Sequence, residues 1–214
     1  MELVSAPAFH AAICAHEQRL PQAVQLLETI GGVLTLDDGT LGSTRNHIRA
    51  WEEAHESNTI GAEWIAVIED DAVPVPWIHT VMQMVLDNAP CDIVSGYLGQ
   101  GRPPEYQPRI REALGSGATW IVADELLHHV AVFVRTERVP SMIASLRDRP
   151  NFPCDEAVSL WACNNGLPVA YVVPSPFDHA DTEPVICDAS RAQPIREAVR
   201  LGGMGRLMLG RWVR

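Results

Sequence analysis

Lysine is missing from this chain: all 16 basic residues are arginine. That removes a lysine nucleophile, a Schiff-base lysine and a P-loop lysine, and with them several enzyme classes. Together with abundant alanine, the bias points to a GC-rich genome rather than to chemistry. The five cysteines, at 14, 91, 154, 163 and 187, are odd in number and form no CxxC pair. Reduced, mostly buried thiols are expected, as in a cytoplasm. No apolar run approaches the length of a membrane span. No basic segment followed by an apolar core resembles a signal peptide, so the expected location is cytoplasmic. No GxGxxG follows a strand and no Walker pattern occurs, which disfavours dinucleotide redox chemistry and P-loop ATP hydrolysis. Internal repeats and low-complexity segments are absent too.

What is present is ordinary globular material. The 214 residues are 47% hydrophobic and 20% charged, enough for one domain with a sizeable core. A formal net charge of -11 makes the chain a poor generic binder of nucleic acid or anionic membrane. The charge is uneven, because residues 190–214 hold six Arg and one Glu, locally about +5. The expected division is a catalytic domain over 1–189 and a basic amphipathic tail over 190–214.

Apolar runs and turn residues predict the order β-α-β-α-β-α-β, then a mixed region. Ala8–Cys14 is a first strand, and a helix begins at Pro21 with Ala23, Leu26, Leu27 and Ile30 inward. Gly31-Gly32 ends it before a strand at Val33–Leu36. Ser43-Thr44 caps a helix to about His55. Ala62–Ile68 is a nearly continuous apolar run, as in a strand buried on both faces, and it stops abruptly at Glu69-Asp70-Asp71. A helix over 77–88 and a strand over 91–96 follow. The Gly/Pro/Arg-rich stretch 99–117 reads as a loop. Two strands (119–123, 130–134), two helices (139–147, 155–163), a strand (169–173), a loop (174–179) and a helical tail complete the pattern. This is an α/β open sheet, in which ligands sit beyond the carboxyl ends of strands. Chemistry-bearing residues stand at three such ends: His16 to Arg19, Glu69 to Asp71, and Pro174 to His179.

Three adjacent carboxylates repel one another unless a cation relieves them. In extended chain Glu69 and Asp71 share one side and Asp70 takes the other. Hard carboxylate oxygens suit Mg²⁺ or Mn²⁺, the more so when diphosphate oxygens complete the shell. The bland alternative is a solvated acidic turn.

Ile65–Ala72 followed by Pro74 resembles the hydrophobic strand, EDD and proline segment of GT-A glycosyltransferases. It is most similar to the family of lipopolysaccharide-type β-galactosyltransferases and collagen galactosyltransferases. Gly42–His47 with its helix is similar to the family's "G..G...SH" helix. Gly117–Val122 resembles its "G..AY" strand, with Trp and Ile in place of Ala-Tyr. Asp155-Glu156 resembles the acidic pair that faces the acceptor. The likeness runs from about residue 8 to 180, and its specific part is the EDD segment. It implies a GT-A-like open, mostly parallel twisted sheet with flanking helices, divided into a Rossmann-like nucleotide-sugar half and an acceptor half. The metal would be Mn²⁺ or Mg²⁺ and the donor a nucleotide sugar, UDP-sugar first. By position, Asp71 would bind the metal, and Glu69 and Asp70 the ribose or the metal. His16, Glu17 and Arg19 would lie near the nucleobase. His179 would be a late metal or diphosphate ligand, and Asp155 or Glu156 the general base of an inverting reaction.

Other residues admit two readings. Arg45 and Arg49 lie one helical turn apart and reach phosphate or form a solvated face. His128-His129 reads as a solvated loop rather than a metal pair. Trp64 reads as core, whereas Trp77 and Trp161 are candidates to stack on sugar, Trp161 the better. The tail, with Leu201, Leu207, Leu209 and Trp212 among arginines, either packs on the domain, lies on an anionic membrane or touches nucleic acid. The acceptor is accordingly open between a glycan, a lipid-linked glycan and a modified DNA base. Two competing functions are a two-metal hydrolase or nuclease and a degenerate, non-catalytic sugar-nucleotide module.

Overall fold

Strand and helix boundaries follow the sequence periodicities closely in the first half of the chain. The structure is a computed structural model describing residues 8–100 and 103–180, with the backbone of residues 197–198 and 212–213. Its first half comprises β1 (Phe9–His16), α1 (Leu20–Ile30), β2 (Val33–Asp37), α2 (Ser43–Glu56) and β3 (Trp64–Glu69). The middle comprises β4 (Ala72–Pro74), α3 (Ile78–Asp87), β5 (Ile93–Ser95), β6 (Gly99–Gln100), α4 (Gln107–Gly115), β7 (Trp120–Ala123) and β8 (Ala131–Arg135). After these come α5 (Val139–Arg147), α6 (Cys154–Asn164), β9 (Val169–Val172) and β10 (Phe177–His179). Two short strands lie in the tail, β11 (Glu197–Ala198) and β12 (Trp212–Val213).

Eight strands form one open sheet in the order β12-β7-β9-β5-β8-β3-β1-β2. Pairing is parallel for β12/β7, β9/β5, β3/β1 and β1/β2, and antiparallel at the other three junctions. The expected α/β class, an open and mostly parallel sheet with flanking helices, is therefore the fold observed. The β2-β1-β3 half is wholly parallel, so three carboxyl ends emerge along one edge. Register sets Cys14 beside Glu69 and His16 beside Asp37.

The core has two layers, one on each face of the sheet. Ile65 and Val67 of β3 face α2, α5 and α6, where Trp51, Met142 and Val158 are buried. Trp64, Ala66 and Ile68 face the other way, toward Leu26 of α1 and Met82 of α3. Strand alternation explains this directly: a run apolar at every position can only sit between two covered faces. Val67→Ala is expected to cost about 2–3 kcal/mol, the transfer term plus an unfilled cavity. Urea unfolding at unchanged m-value measures it, and a loss under about 1 kcal/mol would contradict this packing. At the α1–β2 junction Gly32 has φ +99°, and a Cβ there would lie 2.0 Å from the Ala11 carbonyl oxygen. Only glycine lets β2 enter this close to β1.

Several sequence expectations change. The stretch 99–117 is not a plain loop, since it contains β6 and the nine-residue helix α4. Its Gly/Pro content masks Ile110 and Ala113, which are buried on one side of α4, and its proline sits in the first turn, where no donor is lost. The 174–179 loop holds β10, which pairs antiparallel with the unforeseen β4. The tail was expected to be helical; its described pieces are instead strands, β11 against β6 and β12 against the sheet edge at β7. Leu201, Leu207 and Leu209 lie outside the described residues. No described helix is long and apolar enough to cross a membrane. There is no disulfide among the described cysteines.

Candidate metal and donor site

Beyond Ile68 the chain has left the covered part of the sheet, and Glu69, Asp70 and Asp71 fan out over the carboxyl edge. The Asp70 amide donates to the Cys14 carbonyl at 3.1 Å, which pins the triplet to the end of β1. Asp70 turns toward β1, where one oxygen accepts the His16 amide at 2.9 Å and the other the Arg19 guanidinium at 2.9 Å. The same Arg19 nitrogen donates to Asp71 at 2.6 Å. Glu69 and Asp71 also come together. Their oxygens and a His179 nitrogen lie within 4.8 Å of one another. The expected pairing of Glu69 with Asp71 is observed, but Asp70 does not take the opposite side, because one Arg19 nitrogen binds Asp70 and Asp71 together.

His179 arrives by way of the β4/β10 pair, which sets it opposite Ala72. Its Nε2 is 3.2 Å from the Asp71 carboxylate, and the Ala180 amide donates to the Asp71 carbonyl at 2.7 Å. Asp71 is thus approached by a guanidinium and an imidazole, yet its Oδ1 is buried without a hydrogen-bond partner. The side chains of Arg19, Asp70 and Asp71 are only 12%, 9% and 10% exposed.

Charge and burial compete here, and the outcome differs from residue to residue. Burial pushes the Asp71 carboxyl up, but His179 and Arg19 outweigh it and hold it below the usual range. At Asp70 burial wins: the His16 amide and Arg19 oppose it, Asp71 adds repulsion, and the carboxyl sits above the usual range. Burial disfavours charged Arg19, yet its two carboxylate partners raise it further. A second ionic contact lies behind the first. His47 of α2 meets Glu69 at 3.1 Å, and burial of that imidazole is outweighed by the neighbouring Cys14 and Cys154 sulfurs and by Glu69, so it is held well above its ordinary value.

The remaining candidates are placed as follows. His16 caps the turn after β1, its Nδ1 accepting the Gln18 amide at 3.2 Å, and Glu17 is exposed in that turn. Arg45 is exposed on the first turn of α2. Arg49 is committed to the fold, donating to the Leu36 carbonyl and Asn46 and pairing with Glu53. Asp155 and Glu156 lie in the first turn of α6, half-buried and exposed respectively. That helix start is tied to α2 by the Thr44 hydroxyl, which donates to the Phe152 carbonyl at 2.7 Å.

Two expectations are corrected. His128-His129 is not a solvated loop. His129 is buried, its ring 4.6 Å from that of His47, and His128 packs on Tyr97 with centroids 5.3 Å apart. The connection is held down by Tyr171, whose hydroxyl accepts the Leu127 amide and donates to the Glu125 carbonyl, both at 2.7 Å. Trp161 is core rather than a sugar platform. Trp64 is core as expected, and Trp77, 79% exposed with φ +57°, is the described tryptophan free to stack on a ligand. Sequence reasoning passed over His47 as a site residue. The signal available was an i, i+4 step from Ser43 on a helix feeding the same sheet edge.

The donor set of Glu69, Asp71 and His179, with a buried unpartnered carboxylate oxygen, fits a hard divalent cation such as Mn²⁺ or Mg²⁺. No protein-family model matches the chain, and no curated protein sequence does. Among solved structures it is similar to A197 from STIV, over 81% of this chain and 86% of that one, at 13% identity and a TM-score of 0.50. A Drosophila β-1,4-galactosyltransferase 7 mutant in complex with manganese, UDP-Gal and xylobiose aligns over 84% of this chain and 78% of that one, at 12% identity and a TM-score of 0.39. At such identity the likeness to A197 bears on the fold alone, and that fold is an open α/β sheet with flanking helices.

Proposed function

We propose that the protein is a metal-dependent glycosyltransferase that moves a sugar from a nucleotide diphosphate, UDP-sugar first, to an acceptor hydroxyl. The observation that carries this reading is the convergence of Glu69, Asp71 and His179 within 4.8 Å at the end of β3, whose residues before Glu69 are all buried. A divalent cation held there supplies Lewis-acid stabilisation of the charge that grows on the leaving diphosphate. The chain's own residues do the rest. Arg19 neutralises Asp70 and Asp71 when the donor is away, and can swing to phosphate when it arrives. His16 and Glu17 lie at the β1/β2 end, where a nucleobase would rest. Exposed Arg45 offers a further phosphate contact. Asp155 or Glu156 takes the acceptor proton if the reaction inverts. Trp77 provides an apolar face for a sugar ring.

The acceptor class stays as wide as the chemistry leaves it: a glycan, a lipid-linked glycan or a modified DNA base. The arginine-rich tail is the candidate contact to an anionic surface, and a cytoplasmic setting is part of the proposal. A two-metal hydrolase is less well supported, because the described carboxylates of the site all come from the end of one strand.

The test is a panel of UDP-, GDP- and TDP-sugars with and without Mn²⁺, read by thermal shift. Ligand at 100 times its Kd stabilises by about 2.7 kcal/mol. One nucleotide sugar is expected to raise the midpoint only when Mn²⁺ is present. Silence across the whole panel would remove the transferase reading.

A further inference from the structure

Behind Glu69, on the α2 side of the sheet, lie two imidazoles, His47 and His129, both 5% exposed. Their partners fix where the hydrogens sit. The indole N–H of the fully buried Trp51 can only donate, and it meets His129 Nε2 at 3.4 Å. His129 Nε2 is therefore an acceptor whose lone pair is engaged by Trp51. That ring carries its hydrogen on Nδ1 and has nothing left with which to accept from His47. His47 is the opposite case. Its Nδ1 lies 2.8 Å from the Ser43 carbonyl, which can only accept, so Nδ1 donates. Its Nε2 lies 3.1 Å from Oε1 of Glu69. Two lone pairs do not meet at that distance, so a proton lies between them, and imidazole is the stronger base of the two. His47 thus donates from both ring nitrogens, one to its own helix and one to Glu69. The ring of His129 stands at 81° to it with centroids 4.6 Å apart, and Trp51, one turn further along α2, meets His129 in turn at 84°. This buried stack fixes the ring against which Glu69 rests.

We propose that His47 is a positioning residue for the metal site: it holds Glu69 by a charge-assisted hydrogen bond to Oε1, so that Glu69 meets a divalent ion through its other oxygen. The inference rests on the reading of Glu69, Asp71 and His179 as ligands of that ion. Glu69 stands at a strand end with its side chain 28% exposed. Left to itself, such a long side chain samples several rotamers, and an ion that binds it must order it at a loss of affinity. A donor already anchored to Ser43 removes that freedom before the ion arrives. With Oε1 engaged, Glu69 binds through one oxygen and leaves positions around the ion for diphosphate oxygens. The pairing also offsets one of three adjacent negative charges, as Arg19 does for Asp70 and Asp71, which keeps the triplet together when no ion is bound. His47 lies behind the carboxylate and acts through it, without touching the donor.

The experiment titrates the full chain with Mn²⁺ and reads the free ion by electron paramagnetic resonance, in wild type, His47→Asn and His47→Gln. The asparagine amide still donates to the Ser43 carbonyl but is too short for Glu69, whereas the longer glutamine amide reaches Glu69. His47→Asn is expected to weaken Mn²⁺ binding by about ten- to a hundredfold, and His47→Gln to stay within about threefold of wild type. A role confined to helix packing would not separate the two variants. Wild-type affinity in His47→Asn, or an equal loss in both, overturns the positioning role and leaves the metal site in place. If His47→Asn fails to fold, the imidazole ¹⁵N spectrum of the wild-type protein decides: hydrogen on both nitrogens of His47 supports the role, and a bare Nε2 overturns it. Wild-type protein that binds no Mn²⁺ would reject the metal reading itself, and this inference with it.

Discussion

Asp71→Asn is expected to slow Mn²⁺-dependent sugar transfer by about a thousandfold while leaving the protein folded. The substitution keeps the size of the side chain but removes the charge that a divalent ion requires. In the structure Asp71 is the carboxylate approached by both Arg19 and His179, and its Oδ1 lies buried and unpartnered. On the proposed function, a metal held there would contribute several kcal/mol of charge stabilisation on the leaving diphosphate. Losing about 4 kcal/mol of it corresponds to three orders of magnitude in rate. Initial rates with a saturating nucleotide sugar, compared at matched circular dichroism, provide the measurement. A variant within tenfold of wild type would show that the metal site lies elsewhere.

The second large effect concerns stability. Arg19→Ala removes the cation that sits between two buried carboxylates. Breaking one side of a buried ion pair costs about 3–5 kcal/mol, because a charge is left uncompensated. The expected result is a lowered urea midpoint in the absence of metal. Mn²⁺ should then stabilise the variant more than it stabilises wild type, in which the ion must displace the guanidinium. The pH dependence separates the two proteins further. In wild type the Asp71 carboxyl is depressed, so its contribution is present above the unfolded-state value and lost as pH falls through the folded one. Without Arg19 both carboxyls lose a cation and shift upward, Asp70 most, since Asp71 keeps His179, so mild acid destabilises the variant less than it does wild type. Equal midpoints for the two proteins at neutral pH, or equal Mn²⁺ shifts, would contradict the picture of Arg19 as the stand-in cation.

These two residues show how far the sequence reaches. Asp71 was legible because one strand, apolar at every position, ends abruptly in three acids, and an open sheet places such an end at its binding edge. Arg19 was legible as a residue at a strand end, but not in its partner. The sequence separation of 51 residues to Asp70 carries no signal of contact. His179 was found from its setting in a short proline-bounded segment, although the pairing that delivers it was not. A three-residue strand has too few positions for a period of two to register.

Local chemistry by itself determined the alternation of strands and helices, the burial of β3 on both faces and the position of its acidic end. Those depend on periods of two and 3.6 residues and on which side chains avoid water. Only the tertiary structure decided that Arg19 neutralises the acids, that His179 closes the group, and that His129 lies buried against His47 rather than in solvent. It also decided that Trp161 belongs to the core and that the described pieces of the tail pair as strands. Each is a contact between segments far apart in the chain. Such contacts are set by how the two covered faces of the sheet pack together, and nearest-neighbour patterns do not encode that.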